Sequence, residues 1–319
     1  REDVRAGTLP AVSYMIAPAA LSEHPGPSSP AQGATYTSDV LDALTANPAV
    51  WARTVLFVMY DENDGFFDHA PPPAPPAREA DGFAGRSAVP TEGEYHLVPS
   101  PAAGKSDLAE LRDRPYGLGP RVPMFVVSPW SRGGWINSQV YDHTSVIRFL
   151  ESRFGVVEPN ISPWRRAVCG DLTGCFDFSR RVGTPMASLP DPRPAAARAA
   201  TIRSQPAPEG PSGVAQPRQE RGIRRSHALP YRLEVTDSLA DGRLTLRFAS
   251  AGTGAAVLHV YDRLALDRGP RRYTVSEGGD LVDDWLLHDG AYDLWVLGPN
   301  GFHRHFVGHV GEASPTVTW

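Results

Sequence analysis

The chain has 319 residues, 41% of them hydrophobic and 21% charged, enough to bury a real core and long enough for two domains. Its net charge of −5 excludes a nucleic-acid binder that relies on bulk positive charge. No apolar run approaches 18 residues, which excludes a transmembrane helix. Two cysteines exclude a disulfide scaffold or a cysteine zinc site.

The chain opens on Arg1-Glu2-Asp3 with neither an initiator methionine nor a signal peptide, the pattern of a processed chain or a fragment. Val40, Leu41 and Leu44 fall on one helical face, and Asn47-Pro48 stops that helix. Thr54–Tyr60 is a continuous apolar run too short for most helices, which suits a strand buried on both faces. Val122–Val127 is a second such strand, with Pro123 near its start, where strands tolerate proline. A helix follows His143: Val146, Ile147, Leu150 and Phe154 form its stripe, Asp142 or Thr144 caps it, and Gly155 ends it. Strands alternating with helices predict an α/β unit over residues 1–183, with a parallel or mixed sheet covered on both faces.

Residues 184–228 change character, with nine alanines, eight prolines and seven arginines. Such a stretch reads as a semi-extended linker. From 229 to 319 short alternating segments appear at Tyr231–Val235, Arg243–Phe248, Val257–Tyr261, Tyr292–Val296 and His305–Val307. Their spacing predicts a small antiparallel β-sandwich.

The densest chemistry lies in Tyr60-Asp61-Glu62-Asn63-Asp64-Gly65-Phe66-Phe67-Asp68-His69. Four carboxylates and an imidazole beyond a strand end suit a divalent cation; a solvated acidic turn is the plain alternative. Ser22-Glu23-His24-Pro25 places a histidine in a Pro/Gly/Ser loop, where a surface role is the ordinary reading. Tyr141-Asp142-His143-Thr144-Ser145 opens a helix, a place for an anion or simply an N-cap. In Ser128–Trp135, Arg132 can grip a phosphate in bidentate fashion. Trp130 and Trp135 can either line a pocket for a quaternary ammonium or pack against the glycine turn. Cys169 and Cys175 either close a small disulfide or stay reduced and buried.

Taken together, these blocks resemble the bacterial phosphoesterase family that includes phosphocholine-specific phospholipases C and an acid phosphatase. The resemblance runs from residue 8 to about 180, the C-terminal half of that family's catalytic domain. It rests on Ser22–Pro25, on Thr54–Pro76 with Pro71-Pro72-Pro73, on Arg121–Glu151, and on Asn160–Phe178 with Trp164-Arg165-Arg166 and Gly170-Asp171-Leu172-Thr173. Residues 229–310, with Gly298-Pro299-Asn300-Gly301-Phe302, resemble the small C-terminal domain of the phospholipase C branch.

The resemblance implies an alkaline-phosphatase-like α/β fold, a divalent metal and a hydroxyl nucleophile attacking phosphorus. It implies that Asp61 and Glu62 bind metal, and that His24 contacts the substrate phosphate and protonates the leaving group. His69 and His143 lie in family blocks as further catalytic candidates. The family's other metal pair, Glu-Asn, and its Thr or Ser nucleophile have no counterpart here, because Ser13, Ser22, Thr144 and Ser145 all lie outside the nucleophile block. The expected partners are a phospholipid such as phosphatidylcholine, a membrane surface contacted peripherally, and the missing N-terminal half, with no nucleic acid. Export to the periplasm or beyond is implied too. The readings carried forward are a phospholipase C, active whole or complemented, a phosphomonoesterase of the same family, and a non-catalytic binding remnant.

Overall fold

The computed structural model describes residues 1–63, 70–80, 82–96, 109–179, 188–202, 204–207, 209–210, 212–213, 218 and 220–311. In chain order the elements are α1 Glu2–Ala6, α2 Pro30–Thr45, α3 Pro48–Trp51, β1 Leu56–Met59, β2 Ala77–Glu79, β3 Gly82–Ser87 and β4 Met124–Val127. There follow α4 Thr144–Phe154, α5 Pro163–Val168, α6 Arg193–Ile202, β5 Leu233–Ala240, β6 Arg243–Ser250 and β7 Ala256–Asp262. The last are β8 Arg271–Val275, β9 Asp280–Trp285, β10 Ala291–Leu297 and β11 His303–His309. They make a mixed α/β architecture with an antiparallel C-terminal region. Contacts group the chain into two units, one of Arg1–Met59, Met124–Trp135 and Phe176–Arg225, the other of Tyr60–Pro123, Ile136–Cys175 and Ser226–Trp319.

In the first unit, α2 starts with Pro30 in its first turn, where a missing N–H costs nothing. Asn47 starts α3 by accepting from the backbone N–H groups of Ala49 and Val50. Its own amide donates to the Val4 carbonyl at 2.9 Å, so α1 is tied to the same turn. Val4, Leu44 and Val50 form the small core beneath. β1 and β4 pair antiparallel, Leu56 opposite Val127, in a two-stranded sheet. This pair differs from the expectation of strands buried on both faces. With two strands paired, Leu56, Phe57 and Val58 are half-buried and Met59 and Phe125 are exposed. The alanine-rich stretch differs too: α6 forms inside it, because five alanines between Arg193 and Ile202 favour helix. Arg193 bonds Asp39 at 3.0 Å and the Gln32 amide donates to the Ala196 carbonyl, which docks α6 on α2.

The second unit is built on a β-sandwich. One sheet has the order β11-β10-β7-β8-β3-β2, the other β5-β6-β9. All pairs are antiparallel except β3 with β8. β6 reads eight residues with alternating burial, so Leu244, Leu246 and Phe248 point inward. They meet Leu258, Val260, Tyr273, Val275, Trp285, Tyr292, Leu294, Val296 and Phe306 in one core. Asp241-Gly242, both at positive φ, close the β5–β6 hairpin in the two-residue geometry that Asp-Gly favours.

The sandwich recruits two strands from far upstream. Gly85 on β3 faces Arg272 on β8, and a Cβ there would lie 2.0 Å from the Arg272 carbonyl oxygen. Only glycine allows this approach. The expected division at 184–228 therefore does not follow this sheet, whose strands come from 77–87 and from beyond 255.

The other face of the long sheet is covered by α5. Trp164 is fully buried, and its indole donates to the Thr274 hydroxyl at 2.9 Å. Phe248 stacks on Tyr273 with ring centroids 4.1 Å apart. Phe248→Ala is expected to cost about 3–5 kcal/mol, the usual penalty of a phenylalanine-sized hole, read as a lower urea midpoint.

Candidate functional site

The expected site residues fall in both units. In the first lies the loop of His24. Glu23 takes φ +69°, its N–H donates to Ser28 Oγ at 3.0 Å, and the Ser28 N–H donates to the His24 carbonyl at 2.9 Å. Ser28 Oγ donates in turn to Ala20. Gly33 of α2 lies against Glu23, whose carboxylate occupies the space of any Cβ at that position. This leaves the His24 ring exposed. The Gly26 N–H donates to its Nδ1 at 3.2 Å, so in the neutral ring the proton sits on Nε2, which is presented as a donor.

The loop after β4 is folded by Ser128, which accepts from the backbone of Trp130 and Ser131, each at 3.1 Å. Ser131 Oγ returns a bond to the Val126 carbonyl. Trp130 packs 5.6 Å from Phe178, which stacks on Phe176, itself edge-on to Phe57. Its ring is thus engaged in packing. Trp135 is 37% exposed and carries the Arg225 guanidinium 5.9 Å from its ring centroid. Arg132 is half-buried.

In the second unit, Asp61 and Glu62 come one residue, Tyr60, after the end of β1 and both are exposed. Among the described residues neither carboxylate has a hydrogen-bond or ion-pair partner. His143 Nε2 lies 2.8 Å from the Tyr60 carbonyl. A carbonyl only accepts, so Nε2 carries the proton and Nδ1 keeps its lone pair in the neutral ring. His143 thereby holds the backbone immediately before the acidic pair. Asp64, Asp68 and His69 lie outside the described residues. Among the described residues no group of three or more His, Cys, Asp or Glu side chains converges as a metal site would.

His143, and neither Asp142 nor Thr144, stands at the cap position of α4, and its side chain makes no capping bond. Asp142 instead exchanges bonds with Ser145 and accepts from Thr144 Oγ1 at 2.6 Å. Of the expected stripe, Ile147 and Phe154 are exposed.

What fixes Asp142 is a residue that sequence reasoning noted only as part of a motif. Arg165 of α5 bonds Asp142 Oδ2 at 2.6 Å, Glu94 Oε1 at 3.0 Å and the Gly117 carbonyl at 2.9 Å. The carboxylates are 6% and 2% exposed. Burial disfavours the charge on Arg165, but its hydrogen bond to Asp142 and the charge of Glu94 outweigh this and raise its pKa. Beside it, Arg166 forks onto both oxygens of Glu151 at 2.8 Å, and Arg148 donates to the carbonyls of Arg166 and Cys169. Cys169 and Cys175 are free and buried, so the disulfide alternative falls away. Burial pushes both thiols up, which keeps them inert.

With this geometry in place, the relationships of the chain are clear. Residues 1–157 match the Phosphoesterase family, and residues 226–309 match the bacterial phospholipase C, C-terminal domain. The first half of the chain is thus phosphoesterase-family sequence, and that C-terminal domain follows it. It is 53% identical over 314 residues to a non-hemolytic phospholipase C of Pseudomonas aeruginosa, covering 97% of this chain and 44% of that protein. It is 46% identical to a non-hemolytic phospholipase C of Burkholderia pseudomallei (98% and 44%) and 43% identical to a hemolytic phospholipase C of Pseudomonas aeruginosa (98% and 45%). The chain thus spans a little under half the length of these relatives. No helix among the described residues is long and apolar enough to cross a membrane.

Two outcomes follow from the arginine network. Arg165→Met leaves two buried carboxylates without their cation and is expected to cost about 3–5 kcal/mol in denaturant unfolding. Glu151 is held from 4.5 down to about 2, first by Arg166 and then by the Glu158 N–H. A carboxyl lowered in the folded state adds stability that is whole above its unfolded pKa and fades as pH falls through the folded one. Glu151→Gln should therefore flatten the loss of stability between about pH 4.5 and 2, measured by thermal melts across that window.

Proposed function

We propose that this chain is the C-terminal part of an exported phospholipase C-type phosphodiester hydrolase that acts on phosphatidylcholine-like lipids and releases diacylglycerol and phosphocholine. The observation that carries the reading is the Asp61–Glu62 pair. Two adjacent carboxylates stand exposed just past a strand end, without a partner among the described residues, and the backbone immediately before them is tethered by His143. Its context is that the similar proteins of Pseudomonas aeruginosa and Burkholderia pseudomallei are phospholipases C. Hard oxygen donors without a basic partner fit a divalent cation. When bound, the cation supplies Lewis-acid polarisation of a phosphoryl oxygen.

The chain's own residues then act as follows. Asp61 and Glu62 would hold the cation, and His143 positions the backbone just before them. His24 presents Nε2–H to a phosphate oxygen; carrying a second proton on Nδ1 in place of the Gly26 contact, it can pass the Nε2 proton to the departing diacylglycerol oxygen and return to the neutral imidazole, a task typically worth about 10²–10⁴-fold. Arg132 is the candidate guanidinium for a phosphate oxygen. Trp130 and Trp135 are the aromatic candidates for choline; Trp130 packs on Phe178 and Trp135 carries Arg225, so either ring exchanges that partner for a quaternary ammonium. The attacking hydroxyl is assigned to the part of the relatives' length that lies outside these 319 residues. The lipid is met at a membrane surface by peripheral contact.

The test joins this chain to the upstream half of the Pseudomonas aeruginosa non-hemolytic relative. Phosphatidylcholine and a plain phosphomonoester are compared as substrates. Faster turnover of the phosphodiester is expected. Asp61→Asn should remove both bound metal and hydrolysis, and His24→Ala should slow turnover by about 10²–10⁴-fold. Preference for the monoester would move the chain to the phosphatase reading. Wild-type metal content and rate in Asp61→Asn would overturn the acidic pair, and full activity of the 319 residues alone would overturn the assignment of the nucleophile.

A further inference from the structure

The outer face of the long sheet in the second unit carries a cavity of about 360 Å³, within the range of small-ligand sites. Its walls are Pro71–Ala74, the Arg114–Gly119 segment and residues of β7 and β8. His259 and Arg272 are cross-strand neighbours in the β7–β8 register, so both side chains leave the same face of the sheet. Both line the cavity. His259 is 3% exposed, and neither ring nitrogen has a hydrogen-bond partner. Arg272 Nε is likewise buried and unpartnered. Arg114 also lines the cavity and is exposed, which puts it at the rim.

No aspartate or glutamate is among the lining residues. Among the described residues, two guanidinium groups and an imidazole thus share one recess without a counter-charge. Buried polar groups are normally paired, and a cluster of like charge left open is costly unless a ligand completes it. We propose that this cavity is a binding site for a phosphate dianion, either free phosphate or a soluble phosphomonoester, held by Arg272, Arg114 and the His259 N–H. Two positive charges match a dianion, and guanidinium forks fit its oxygens. Burial first, and the neighbouring Arg272 charge second, hold His259 down at about 3. The ring is therefore neutral at pH 7 and offers one N–H. Burial lowers the pKa of Arg272 as well, with Arg114 adding to the effect. Proline and tyrosine walls, with Tyr116 and Tyr261 among them, leave room for the organic part of a monoester. The site shares no residue with the acidic pair and does not depend on the proposed reaction.

The experiment is calorimetric titration of the 319-residue chain with inorganic phosphate and with phosphocholine, in EDTA, with acetate at matched ionic strength as control. Phosphatidic-acid vesicles form a separate arm. Binding of either soluble phosphate, with a Kd at least ten times below that for acetate, is expected. Arg272→Met and Arg114→Gln should each weaken it at least tenfold. The stability readout separates a ligand site from a structural one. Without phosphate, Arg272→Met removes a buried charge that has no counter-ion, so it should melt at or above the wild-type temperature, and phosphate should raise the wild-type melting temperature alone. The proposal is overturned if phosphate fails to bind, if acetate binds equally, if EDTA abolishes binding, if vesicles alone bind, or if Arg272→Met melts lower and still binds phosphate.

Discussion

Arg165 is the point on which the second unit turns. One guanidinium spans three segments that the sequence keeps far apart: the loop carrying Glu94, the Gly117 carbonyl and the turn of Asp142. The two carboxylates can be buried only because this cation is there, and the cation can be buried only because they are. Asp142 is in turn the residue before His143, whose ring holds the Tyr60 carbonyl. A chain of polar contacts thus runs from the covering helix α5 to the backbone that presents Asp61. Next to Arg165, Trp164 anchors the same helix to β8 through Thr274. A single turn of helix therefore sets both the sheet's outer layer and the acidic turn.

The same outer layer explains why a charged recess can persist. The inner face of the long sheet is apolar and closed by β5, β6 and β9. That packing holds β7 and β8 in register whatever stands on their outer side. His259 and Arg272 alternate with Leu258, Val260 and Tyr273, which lie in the core. The cost of the unpaired groups falls on a scaffold stabilised elsewhere.

Much of the architecture was legible because the signal was local. β1, β4 and α2 stand where apolar runs and the Asn47-Pro48 stop place them, and Gly155 ends α4 in the left-handed conformation. The alternation of β5, β6, β7, β10 and β11 marks the sandwich. β8 and β9 escaped, since Arg271, Asp283 and Asp284 hide strand periodicity behind charge that is neutralised across strands, as Arg271 with Asp283 shows, and Arg272 adds a further charge opposite His259. β2 and β3 escaped because three residues, or a run with two glycines, carry no propensity for strand. The candidate histidines were legible as residue types in loops. What each ring nitrogen bonds was not, because Gly26 and Tyr60 act through backbone atoms that every sequence has. Arg165 was visible as part of a motif, but its partners are 23 and 71 residues away.

The parallel pairing of β3 with β8 has a consequence for how the chain is made. Gly85 and Arg272 are partners in the sheet, yet the ribosome delivers them roughly 10–40 s apart at ordinary elongation rates. During that interval β3 has its upstream hairpin partner β2 but lacks the strand that completes its other edge. The long sheet cannot nucleate from the N-terminal side; it must await the C-terminal hairpins and then close a loop of nearly the whole second unit. Such a topology puts the late step of assembly in a long-range contact, where closure is slow. The narrow backbone passage at Gly85, with no side chain to steer past, keeps that last docking event sterically open.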